Sequence, residues 1–197
     1  VQIHRHVYET KSKKLIPNKM KNILLVSMLL LSSVSFGQTI DKAESKIHFE
    51  VGSLWVRTVE GTISGFEGTV KFDPANLAAS SMNVTAKVAT IKTDSDKRDD
   101  HLRTADFFDV AKYPTMRFQS TKIEKLVKGG YKLTGKLTIK DVTRDVSFPF
   151  TVEPAANGGQ LLRGELEINR MDYNVGVDQS SFSVSNDIEV KIECVVR

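Results

Sequence analysis

The stretch Tyr131–Val152, YKLTGKLTIKDVTRDVSFPFTV, decides the fold. Leu133, Gly135, Leu137 and Ile139 alternate with Lys132, Thr134, Lys136, Thr138 and Lys140. After the tight KDVTR turn, Val146, Phe148, Phe150 and Val152 resume the same period. Alternation with a period of two places apolar side chains on one face of a strand and polar ones on the other, so this is a hairpin with one wet face. Pro149 then marks a position whose N–H the ladder does not need.

The pattern repeats along the chain, and helical periodicity is almost absent. SKIHFEV turns Ile47, Phe49 and Val51 inward, with His48 outward; MNVTAKVA turns in Met82, Val84, Ala86 and Val88. LRGELEIN contributes Leu162, Gly164, Leu166 and Ile168, and IEVKIECVV contributes Ile188, Val190, Ile192, Cys194 and Val196. The long run Thr58–Phe72 carries Val59, Gly61, Ile63 and Gly65, then Phe66, Gly68, Val70 and Phe72. Its phase slips by one at Gly65, where a β-bulge is expected. With the segment starting near Met116, eight strands result, and an all-β, eight-stranded antiparallel barrel removes the edges an open sheet would expose. Small inward residues (Gly61, Gly65, Ala86, Ser120, Gly135, Gly164) mixed with large apolar ones are expected to leave interior space for one small ligand, the alternative being that they mark strand crossings where a barrel bends.

The first 37 of the 197 residues read differently. From Met20, a lysine-bearing head, an apolar run Ile23–Leu31 and small residues Ser35 and Gly37 have the form of a secretory signal cleaved before Gln38. The apolar run is shorter than the roughly 20 residues that span a bilayer, so no membrane span is expected in the mature chain. Residues 1–19 are polar, basic and patternless, an upstream extension expected to be disordered; residues 38–197 are the domain. Residues 1–37 hold six of the 28 Lys and Arg but one of the 24 Asp and Glu, so the rest carries 22 bases against 23 acids. The basic balance belongs to the leader, and nucleic acid is not an expected partner. Cys194 is the sole cysteine, so the domain holds together without internal disulfides.

Hairpin connections alternate between the two ends of a meander. One end receives DPANLAAS, VKGG and PAANGG, which are plain turns. The other receives GSLW, the long TDSDKRDDHLRTADFFDVAKYP, KDVTR and NRMDYNVGVDQSSFSVS. In the long connection, between the third and fourth strands, a short helix capped by Thr93 or Asp94 is expected, with Leu102, Ala105 and Asp109 on one face. This lid is read as pinned by Phe107 and Phe108, by ion pairs among Arg98, Asp99, Arg103 and Asp106, and near His101. A hydrolase using His101 stays open as the alternative, but nothing selects its serine. His48, His101 and Cys194 do not make a metal site of ordinary type, and no cofactor motif occurs, so neither metal nor cofactor is expected.

GTISGFEGTVKFDP, RDDHLRTADFFDVAKYPTMRFQS, GKLTIKDVTRDVSFPF and INRMDYNVG occur in this order, and with them the chain resembles the YceI-like family of exported bacterial proteins over residues 38–197. The resemblance implies a lipocalin-like barrel that binds a long amphiphilic, polyisoprenoid-like lipid in a periplasmic or secreted protein, for storage, transport or stress response, without catalysis. Asn174 stands where the family commonly has a glycine. On that reading Phe49, Ile63, Val84, Phe118, Leu137, Phe148, Phe150 and Leu166 supply the apolar contacts, and Arg144 and Arg170 at the mouth hold a polar head group. Ion pairs of these arginines with Asp141, Asp145 or Asp172 are the equal alternative. A barrel that is purely structural or binds a partner, and a homodimer, also stay open.

Overall fold

A computed structural model describes residues 37–53, 57–179 and 184–197. The expected upstream extension and all but the end of the expected signal lie outside the described residues, as do Leu54 and Trp55 of the GSLW turn. One antiparallel sheet curls around a common interior. Its strands are β1 (Lys46–Ser53), β2 (Arg57–Ile63), β3 (Glu67–Lys71), β4 (Ser81–Lys87), β5 (Lys92–Thr93), β6 (Thr115–Lys125), β7 (Tyr131–Ile139), β8 (Val142–Pro154), β9 (Gln160–Asn169) and β10 (Asp187–Val196), with one α-helix among the described residues, α1 (Asp96–Arg103). The strand order is β3-β4-β6-β7-β8-β9-β10-β1-β2-β5.

Ten strands replace the expected eight for two reasons. The two-residue β5 pairs with Gly61 and Thr62. The run Thr58–Phe72 is not one bulged strand: β2 pairs with β1 near one edge of the sheet, while β3 is the opposite edge and pairs with β4. Between them the chain turns a corner at Gly65, whose φ of 71° lies in the left-handed region that glycine enters without a Cβ penalty. Ser64 fastens the corner: its N–H donates to Thr90 Oγ1 (2.8 Å) and its carbonyl accepts from Lys87 N (3.1 Å). The phase slip is therefore the signature of a strand crossing from one edge of the rolled sheet to the other.

The loops sort to two ends as hairpin alternation requires. At the plain end Gln38 N donates to Val70 O (2.8 Å), Gln38 Nε2 to Gln160 Oε1 (2.9 Å), and Ile40 bridges to Val196. Phe72, Tyr131 and Phe150 pack edge-on and tilted there, with ring centroids 4.9–5.7 Å apart. At the elaborated end, Lys140 Nζ donates to Asn174 O (2.7 Å) and Tyr113 Oη to Asp141 Oδ2 (3.2 Å), tying three connections together. Asn174 has a φ of 54°, a conformation that asparagine tolerates better than most side chains.

The outer face carries an unexpected row. Glu60, Glu50, Glu189 and Glu167 stand directly opposite one another across β2, β1, β10 and β9. Lys191 Nζ reaches Glu50 at 2.8 Å and compensates one of them. Directly opposed like charges destabilise a sheet, so Glu189→Lys is expected to stabilise the fold by about 1 kcal/mol, raising the melting temperature by about 3 °C. Thermal melts at low salt and in 1 M salt check this; the gain should shrink in 1 M salt, where the Debye length is about 3 Å.

Candidate functional site

Inside the rolled sheet is a cavity of about 230 Å³. Along β9 its lining runs from Leu162 to Ile168, about 20 Å of strand at the usual rise per residue. Phe49, Ile63, Val84, Phe118, Leu137, Phe148, Phe150 and Leu166 all line it, because the two-residue period fixes which face each side chain takes. Val70, Met82, Phe150 and Leu162 form its floor; Ile40, Phe72 and Val196, all buried, fill the plain end beneath.

Three of the small inward residues, Gly61, Gly135 and Gly164, are seats for aromatic rings. A Cβ built on Gly61 would lie 2.3 Å from Phe49 Cζ, one on Gly135 2.5 Å from Phe118 Cζ, and one on Gly164 2.8 Å from Phe148 Cε2. Each ring lies across a glycine of the neighbouring strand instead of pointing into the centre, so the space is opened by rings held against the wall. The partner glycine sits directly opposite for Phe49 and diagonally for the other two. This pairing was the missed signal, visible in sequence only once register is known.

Cys194 faces the same wall, and burial pushes its thiol up to about 11, so it stays protonated and behaves as a small apolar group. His48 points outward, 3.9 Å from Glu193. Water inside such a lining would find almost no hydrogen-bond partners, whereas hydrocarbon loses nothing there. The chemistry this arrangement supports is sequestration of an apolar chain.

The mouth is built by α1 and the loop after β9. The helix is capped by Ser95, whose Oγ accepts from Arg98 N (3.4 Å), and not by Thr93 or Asp94. Thr93 is withdrawn from capping because it pairs with Gly61 in β5 and donates its hydroxyl and N–H to Asp99 Oδ1 at 2.6 and 2.8 Å. The helix ends at Arg103, so Ala105 and Asp109 do not share a face with Leu102. The expected charge cluster also exchanges partners: Arg98 with Asp94, Lys92 with Asp99, Arg103 with Asp100, His101 with Asp106. Arg103 further donates to the carbonyls of Ala89 (3.1 Å) and Ile91 (2.8 Å), fastening the helix to the segment before it. Phe107 is buried over Gly176 and meets His101 edge-on at 5.0 Å; Phe107 and Phe108 both reach the cavity. His101 Nε2 lies 3.1 Å from Asp106, and no hydroxyl nucleophile is hydrogen-bonded to its ring among the described residues.

Asp99 is 1% exposed. Burial opposes its charge, yet the two bonds from Thr93 and the Lys92 ammonium, 3.1 Å from Oδ2, outweigh it and hold the carboxyl below its ordinary value. A depressed pKa contributes stability above the unfolded value of about 4 and loses it as pH falls through the folded value. Asp99→Asn is expected to cost about 1–3 kcal/mol at pH 7 and to flatten the loss of stability below about pH 4. Urea unfolding at pH 7 and pH 3.5 tests both halves.

The two arginines part company. Arg170, in the 3-10 turn Arg170–Tyr173, is 4% exposed and lines the cavity mouth. Its guanidinium donates to the carbonyls of Val175 (3.0 Å), Gly176, Gln179 (3.0 Å), Val184 (3.4 Å) and Ser185 (3.0 Å). These contacts organise the loop and leave little for a head group. Arg144 is exposed on the inward phase near the start of β8, at its mouth end, and its Nε donates to Asp172 O at 3.3 Å. The ion pairs with Asp141, Asp145 or Asp172 do not form among the described residues; Asp145 pairs with Lys136 at 3.0 Å. Among these residues no His, Cys, Asp and Glu group is arranged to hold a metal, and no helix is long and apolar enough to cross a membrane.

A family model described as the YceI-like domain matches residues 38–196. Protein YceI of Escherichia coli O157:H7 is 32% identical over 173 residues, covering 83% of this chain and 89% of that one. The crystal structure of Burkholderia cenocepacia BcnA superposes with a TM-score of 0.74 at 33% identity, over 81% of this chain and all of that one. A polyisoprenoid binding domain from Saccharophagus degradans implicated in plant cell wall breakdown has the same fold, with a TM-score of 0.65 at 13% identity over 82% of this chain and 98% of that one.

Proposed function

The chain belongs to the YceI-like family, and from that premise we propose that it is an exported carrier holding the hydrocarbon chain of an isoprenoid-like amphiphile inside its barrel. The observation that carries the reading is the cavity itself: about 230 Å³, apolar on nearly every side, and closed below by Val70, Met82, Phe150 and Leu162. Each buried methylene contributes about 0.8 kcal/mol, so ten of them offset most of the cost of association. The polyisoprenoid binding neighbour supports the same class of cargo. The saturated guanidinium of Arg170 makes the tail, not a charged head, the main source of affinity.

Native mass spectrometry of the purified protein, followed by organic extraction, tests this. A co-purifying lipid, or stoichiometric uptake of added geranylgeraniol, is expected, and His101→Ala should take it up equally well. A bare polypeptide that refuses the added alcohol would overturn the reading.

A further inference from the structure

The ladder between β8 and β9 is shorter than either strand. It runs from Pro154 opposite Gln160 to Phe150 opposite Gly164 and stops. Yet β8 extends back to Val142 and β9 forward to Asn169. Over that half nearer the mouth, β8 stays paired with β7 through Val142, and β9 stays paired with β10 through Asn169. Between β8 and β9 the wall thus parts over this half, each bank held by its other neighbour. Pro149, with no N–H to offer a ladder, stands where the pairing ends.

Both banks belong to the cavity. Val146 and Phe148 line it from β8, Leu166 and Ile168 from β9. Across the top of the slit the side-chain ties are Arg144 Nε to Asp172 O (3.3 Å) and Lys140 Nζ to Asn174 O (2.7 Å), both exposed. The mouth, by contrast, is bolted by the carbonyl contacts of Arg170, by Arg103 on Ala89 and Ile91, and by Asp99 on Thr93. Lifting α1 breaks several charge-assisted bonds along with buried contacts, whereas widening the slit strains two exposed side-chain bonds and no ladder.

We propose that the slit between β8 and β9 is a side door: the hydrocarbon chain passes broadside between the two strands while the mouth stays shut. This deepens the carrier reading and rests on it. The head group remains in water throughout, and the tail trades water for Val146, Phe148, Leu166 and Ile168 as it slides in.

Continuing the register of Phe150 opposite Gly164 sets Ser147 across from Glu167, both exposed and facing away from the cavity. A Ser147→Cys, Glu167→Cys pair, made with Cys194→Ser, staples the slit from outside. With a pyrene-labelled long-chain alcohol, oxidation is expected to slow both uptake and release at least tenfold, with unchanged affinity and recovery on reduction. The same staple at Thr151 and Arg163, already paired in the ladder, should leave the rates alone. Equal rates in oxidised and reduced protein overturn the door. Should the staple not close, the Lys140→Ala, Arg144→Ala double variant takes its place: severalfold faster exchange supports the door, and unchanged exchange overturns it. Wild-type protein that takes up no probe at all overturns the carrier reading instead.

Discussion

Arg170→Met will cost the fold about 3 kcal/mol, the largest stability loss expected from any single polar side chain here. The reason is a concentration of roles in one group. Carbonyls of five loop residues between Val175 and Ser185 converge on one guanidinium that is almost out of contact with water. Methionine preserves the bulk of the stem but leaves those acceptors without a donor. For a domain of this size the melting temperature should fall by about 6–12 °C. Amide exchange resolves the cause: protection should vanish first in residues 174–179 and 184–186 and persist in β6 and β7, which share a long ladder broken only by a bulge at Thr121. A uniform loss of protection across the sheet would show that Arg170 supports the barrel as a whole and not the loop.

Gly164→Leu is expected to weaken cargo binding about 30-fold while leaving the barrel folded. A Cβ at this position crowds only the Phe148 ring, at 2.8 and 3.1 Å; the nearest backbone atom, Pro149 O, lies at an ordinary contact distance of 3.6 Å. The ring therefore swings inward, where there is empty space to receive it. The new side chain and the displaced ring together evict two or three methylenes of ligand, about 2 kcal/mol, which lowers affinity about 30-fold. The melting temperature should move by only a few degrees, since filling a void offsets strain. Gly135→Ala provides the contrast: its Cβ meets the backbone carbonyl of Gln119 at 2.5 Å as well as the Phe118 ring, so it damages the sheet itself. Titration with geranylgeraniol alongside thermal melts separates the two outcomes. Unaltered binding by the Gly164 variant would refute the ring-seat account of the cavity.

What the sequence made legible follows from what is fixed locally. Phe148 and Leu166 were assigned to the interior because alternation is a property of the strand backbone, whatever lies across from it. Loops such as VKGG and KDVTR went to the correct ends because hairpins reverse direction each time. The corner at Gly65 was not legible, since a phase slip in one strand and a jump between two sheet edges leave the same trace in a one-dimensional pattern. Partner choice was equally hidden: Asp99 looked set for Arg98 or Arg103 by proximity, but folding brought Thr93 and Lys92 to it instead. Arg170 carried no sign at all that it would serve backbone carbonyls, because those acceptors come from a loop whose path only the closed barrel defines.

The pairing of β1 with β10, and of Ile40 with Val196, makes neighbours of the first and last parts of the domain to leave the ribosome. Until β10 has been synthesised, β1 lacks one of its two flanking strands and the interior has no complete wall. Burying the hydrocarbon lining must therefore wait for a chain closure of about 150 residues, a slow and late event for a protein of this size. Hairpins such as β6–β7–β8 can pair as they emerge, but their apolar face stays uncovered until the last strand arrives, and chaperones that shield greasy strands have that interval in which to act.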